Sequence, residues 1–150
     1  MTTAIDNFLA DGFVAVRRAV APGVVRTCVA LIEDVGDQDA PTEILVGSHL
    51  DVPRVLAPFG ERGVWNGDVA RELPASTFRR VRAHATGRAG DVYICHPFLV
   101  HRATWPHRGS GPRILAQPAI EYPQPFALHE DSDVCAVERA ILRGLERRDS

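Results

Sequence analysis

Between residues 90 and 122 short apolar runs alternate with turn residues, and this pattern limits the architecture of the chain more than any other feature. Gly90-Asp91 opens the run Val92-Tyr93-Ile94-Cys95-His96, which Pro97 interrupts. Phe98-Leu99-Val100-His101-Arg102-Ala103 follows, and the turn-rich stretch from Pro106 to Pro112 separates it from Arg113-Ile114-Leu115-Ala116. Apolar runs this short, bounded by Gly and Pro, read as strands. Phe78 to Thr86 adds another, because Val81, Ala83 and Ala85 alternate with Arg80, Arg82 and His84 in the two-residue period of a half-buried strand. Short turns between such strands point to an antiparallel sheet.

The rest of the chain supplies helices and two more strands. Residues 3–11 read as a short helix stopped by Gly12, followed by the strand Phe13-Val14-Ala15-Val16. Pro22 to Asp34 reads as a helix begun by Pro22, with Val25, Val29 and Ile32 on one face, although residues 29–32 also fit a strand. An Asp-rich turn covers residues 36–41, a strand 42–46 and a short helix 52–57. Residues 60–75 read as an irregular loop with one helical turn. A final helix spans 133–146, capped by Ser132 or Asp131, with Val134, Val137, Ile141 and Leu145 three and four apart. With no repeat and no linker, residues 1–150 form one domain of α+β class.

Composition narrows the partners. A net charge of −2 gives no electrostatic case for nucleic acid or a membrane surface, and no apolar run approaches the roughly 18 residues of a spanning helix. All 17 basic residues are arginine. The amino terminus lacks the basic start of a secretory signal. Cys28, Cys95 and Cys135 are odd in number and far apart, which argues against a disulfide framework and for a reducing cytoplasm.

Several groups could carry chemistry. His101 ends one strand and Arg113 begins the next, 12 residues on (113 − 101). His49-Leu50-Asp51 is an H-x-D triplet 52 residues before His101 (101 − 49). Two histidines and a carboxylate on one face are the usual protein ligands of a mononuclear iron, and arginine's planar fork suits a carboxylate. Each group also has a plainer reading. His101 can bond the backbone at a strand end, and His49 and Asp51 can cap the helix at Val52. The second triplet, His129-Glu130-Asp131, reads as a cap for the last helix. His96 and His107 flank the His101 region as pocket lining or as acid/base groups. Cys95 alternates with Tyr93 and reads as core. Trp65 and Trp105 line a pocket or fill the fold, and the pairs Arg79-Arg80 and Arg147-Arg148 read as solvated faces.

Three segments in order resemble the phytanoyl-CoA dioxygenase family of Fe(II)/2-oxoglutarate oxygenases. They are the opening Phe8-Leu9-Ala10-Asp11-Gly12-Phe13-Val14-Ala15-Val16, the stretch from Asp34 through Pro41-Thr42 to Gly47-Ser48-His49, and the stretch from Gly90 to Ala103 with Arg113. The resemblance implies a mainly β fold with flanking helices, a shortened double-stranded β-helix (jelly roll, cupin-like). It makes His101 the distal iron ligand and Arg113 the residue that holds 2-oxoglutarate. The family's own H-x-D pair precedes the G-S-H segment, and the interval that should hold it, at about residues 30–34, is almost missing here. His49 and Asp51 are then the remaining candidates for the metal. The implied function is that of an Fe(II)/2-oxoglutarate dioxygenase-family protein acting on a small organic molecule, with an atypical metal site. Two alternatives stand beside it. One is a metal-free descendant that catalyses isomerisation or cyclisation through His96, His101 or His107. The other is a non-catalytic binding protein. A shortened barrel leaves an apolar face uncovered, so a homo-oligomer is expected.

Overall fold

The computed structural model describes residues 3–21, 34–111, 113, 115, 125–128 and 134–147. Helix α1 (Ala4–Asp11) starts at a reciprocal cap. The Asp6 N–H donates to the Thr3 hydroxyl at 3.1 Å and the Thr3 N–H donates to the Asp6 carboxylate at 2.9 Å. Gly12, at φ +85°, ends the helix in the left-handed conformation that only glycine adopts at little cost. The chain then enters β1 (Phe13–Val16).

After the Asp-rich turn come β2 (Thr42–Leu45), a 3-10 turn over Ser48–Leu50, and helix α2 (Val52–Leu56). A second 3-10 segment, Ala57–Arg62, leads to α3 (Asn66–Glu72), and a third covers Thr77–Arg79. Strands β3 (Arg82–Ala85), β4 (Val92–Cys95) and β5 (His101–Ala103) follow, and helix α4 (Ala136–Glu146) closes the described chain.

The strands form two small antiparallel sheets. β1 pairs with β4, Phe13 opposite Cys95 and Val16 opposite Val92. β2 lies between β3 and β5, with Thr42 opposite both Ala85 and Ala103. This is the α+β arrangement with antiparallel pairing that the spacing predicts. Among the described residues the sheets do not close into a barrel, and helical residues outnumber strand residues.

Three differences account for that balance. The loop expected over 60–75 contains the seven-residue helix α3. The strand expected over 78–86 is reduced to Arg82–Ala85, because Thr77 and Arg80 turn towards Asp51 instead of extending a ladder. The strand expected over 98–104 begins only at His101, because the Leu99 N–H closes a turn on the His96 carbonyl. The expected helix before Asp34, most of the strand after Arg113, and the caps at Asp131 and Ser132 lie outside the described residues. The observed α4 start is Cys135, whose N–H donates to Glu138 at 2.8 Å.

The core lies where α1, α2 and α4 meet the Ser48–Leu50 turn. Phe8, Leu9, Val52, Leu99, Ala140 and Ile141 are buried there, and Ile44 and Leu45 are buried on opposite faces of β2. Gly144 lets α4 approach closely: a Cβ at that position would stand 2.7 Å from Pro53 and 2.8 Å from the Leu50 carbonyl. Among the described residues no helix is long and apolar enough to cross a membrane.

Candidate functional site

The three expected metal ligands occupy three different environments. His101 stands exposed on β5, opposite Ile44. Its Nδ1–H donates to the Leu99 carbonyl at 2.8 Å, which leaves the Nε2 lone pair facing outward.

His49 is completely buried. Its Nε2 donates to the Leu9 carbonyl at 3.3 Å, its ring lies 5.0 Å from that of His96, and its Nδ1 has no hydrogen-bond partner. Burial, and then the neighbouring His96, push its pKa down to about 4, so the ring is neutral at ordinary pH.

Asp51 belongs to an ion pair. Its carboxylate accepts from Arg80 Nε and Nη2, each at 2.7 Å, and from the Thr77 hydroxyl at 2.8 Å, with Arg147 Nη1 at 3.8 Å. Burial pushes this carboxyl up, but the Arg80 fork and the Thr77 hydroxyl outweigh it and hold the group below its usual range. Asp51 occupies the cap position of α2 without using its side chain there, and His49 does not cap that helix either.

Among the described residues, no three His, Cys, Asp or Glu side chains form a group able to hold a metal ion. A buried imidazole and a carboxylate already neutralised by a bidentate arginine are poor donors for a mononuclear iron that keeps one face open. His101, His49 and Asp51 therefore do not form that centre.

Arg113 and His101, in contrast, share a face. Arg113 Nη2 donates to the Thr42 hydroxyl at 2.7 Å. Thr42 is opposite Ala103, and His101 lies two residues before Ala103, so alternation puts all of these on one side of the three-stranded sheet. The other side carries Glu43, whose buried carboxylate accepts from both Arg82 and Arg102. Burial pushes Glu43 up, and the two guanidiniums bring it below its usual range.

On the Arg113 side lies a cavity of about 450 Å³, lined by Ala40, Ala103, Thr104, Trp105, His107 and Arg113. Among the described residues, Arg113 Nε and His107 Nε2 are buried and have no hydrogen-bond partner. The nearest carboxylate to His107 Nε2 is Asp39, at 3.9 Å. The Arg108 N–H donates to the Gln38 carbonyl at 2.8 Å, and the Thr104 hydroxyl donates to the Pro41 carbonyl at 2.7 Å. These bonds tie the Asp-rich turn to the loop after β5 and hold the cavity between them.

The remaining candidates separate clearly. His96 is not near the cavity lining. It is buried among Phe8, His49 and Phe98, with Nε2–H donated to the Val137 carbonyl at 3.2 Å and Nδ1 accepting from the Phe98 N–H at 3.1 Å. Cys95, expected in the core, is exposed at the end of β4. Trp65 and Trp105 are both exposed, and Trp105 alone of the two borders the cavity. Arg80, expected on a solvated face, is the clamp on Asp51. Its partner lies 29 residues earlier, so no local pattern could have revealed it. His129 and Asp131 lie outside the described residues.

No protein-family model, curated protein or solved structure matches the chain.

Proposed function

We propose that this chain is a phytanoyl-CoA dioxygenase-like protein that has kept the carboxylate-binding arm of an Fe(II)/2-oxoglutarate oxygenase but not its iron centre, and that it binds a small 2-oxo acid at Arg113. One observation carries the reading. The guanidinium is oriented by Thr42 and lines a ligand-sized cavity. A carboxylate entering that cavity would meet a fixed cation able to form charge-assisted bonds. Ala40, Ala103 and Trp105 supply apolar walls, the usual composition of a small-molecule site.

Calorimetric titration with 2-oxoglutarate, with and without Fe(II), tests this. The expected result is binding of roughly millimolar affinity that does not depend on iron. Arg113→Lys should weaken it at least about tenfold, because an ammonium lacks the planar fork. Tight binding that requires Fe(II), with succinate released, would restore the complete oxygenase. No binding in either condition would remove the carboxylate reading and leave a partner-binding role.

The expected homo-oligomer is part of the proposal. Val14, Val16, Val92 and Ile94 share one face of the two-stranded sheet, and Val16, Val92 and Ile94 are exposed. Such an aliphatic face is self-complementary about a two-fold axis. Sedimentation of wild type and Ile94→Lys should show association only in the former.

A further inference from the structure

We propose that His107 is a catalytic acid–base residue of this cavity and that, without a metal, it interconverts the keto and enol forms of a 2-oxo acid held by Arg113. The inference rests on the carboxylate reading above and assigns the ligand a reaction.

His107 is the histidine that lines the cavity together with Arg113. His101 is committed to the Leu99 carbonyl and does not border it, while His49 and His96 are buried in the helical core. The setting of His107 is built from two loops. Asp39 Oδ2 accepts from the Gly36 N–H at 2.7 Å, which turns Oδ1 towards His107. Gly109 packs so closely that a Cβ there would overlap Asp39 Oδ1 and stand 3.1 Å from His107 Cε1. Any side chain at 109 would push the carboxylate and the imidazole apart. Nε2 is buried against Asp39 at 3.9 Å, so the ring nitrogen left for a ligand is Nδ1.

The chemistry balances without an oxidant or reductant. Imidazole Nδ1 takes a proton from C3 of the 2-oxo acid. The C3–H bond breaks, its electron pair forms the C2–C3 double bond, and the C2 carbonyl becomes an enolate oxygen. Arg113 holds the adjacent carboxylate and faces the charge that develops on that oxygen. The imidazolium then returns the proton to oxygen, giving the enol, or to C3, regenerating the ketone. In heavy water the ring proton exchanges with solvent, so the return step delivers deuterium to C3.

The test is proton NMR of 2-oxoglutarate in buffered D2O, following loss of the C3 signal, with calorimetric binding measured on the same samples. Wild type should exchange C3 roughly a hundredfold faster than buffer, in the range of a positioned acid–base group. His107→Asn should exchange 2-oxoglutarate at the buffer rate even at ligand concentrations that the calorimetry shows to saturate it. His107→Ala should regain exchange when free imidazole is added, which a folding defect would not allow. Asp39 is a positioning residue, and Asp39→Asn should lower kcat about tenfold with KM unchanged. Wild type that binds but exchanges no faster than buffer overturns the proposal and leaves the binding site standing, as does His107→Asn that exchanges like wild type. Absence of binding in wild type removes the carboxylate reading and this proposal together.

Discussion

Arg80 grips Asp51 through one edge of its guanidinium, Nε and Nη2 each standing 2.7 Å from a different carboxylate oxygen. The carboxylate that the H-x-D spacing marks as a metal ligand is therefore a structural clamp. It joins the start of α2 to the Thr77–Arg79 turn and lies close to Arg147 beyond α4.

Asp51→Ala should cost about 2–3 kcal/mol in urea denaturation, because it strands the largely buried Arg80 and the Thr77 hydroxyl. The folded carboxyl titrates below its ordinary value, so this stabilisation is complete above the unfolded pKa, about 4. It is lost as pH falls through the lower folded value. Calorimetry with Fe(II) should not distinguish the variant from wild type.

His49 should make the protein sensitive to mild acid. Its folded pKa of about 4 lies below the ordinary histidine value of 6.5, so below pH 6.5 the unfolded chain takes up a proton that the folded chain refuses. Stability should fall by about 3 kcal/mol between pH 6.5 and 4, with no contribution above that window. His96, also held low by burial, acts in the same direction. Denaturation midpoints measured across this range should show the slope, and His49→Gln should flatten it.

Gly12→Ala should be among the more damaging single changes. Gly12 has φ +85°, and its Cβ would meet His49 Nδ1 at 2.5 Å and Leu99 Cδ1 at 2.8 Å. Backbone strain and core overpacking together should cost about 2–4 kcal/mol. Gly60→Ala is the matched control. It also has positive φ, but nothing lies within 4 Å, so only backbone strain of about 1–3 kcal/mol remains, without overpacking.

Arg113→Gln should separate ligand binding from stability. Among the described residues Arg113 bonds Thr42, so its loss should change the unfolding free energy by about 1 kcal/mol. Retention of 2-oxoglutarate binding with unchanged affinity would contradict the role given to the guanidinium.

Short-range signals were readable in the residues themselves. Thr3 and Asp6 announce the start of α1 and Gly12 announces its end, because a cap acts over three residues and a left-handed turn excludes most side chains. The alternation over Arg82–Ala85 and the turn residues around Pro97 locate strands for the same local reason. The one helical turn expected within residues 60–75 is the longer helix α3, which forms although Gly67 lies inside it.

What each candidate residue does was decided at long range. The same His49-Leu50-Asp51 triplet is compatible with a ligand pair, a cap or a core element. The choice was made by contacts with Leu9, 40 residues away, and with Arg80, 29 residues away. Arg113 finds Thr42 across 71 residues, and His107 meets Asp39 only because the two loops are tied by a backbone bond. Turns, caps and periodicity are written in neighbouring residues, since they depend on φ, ψ and side chains within one turn. Burial and charge pairing depend on which distant surfaces meet, and that is settled only when the chain packs.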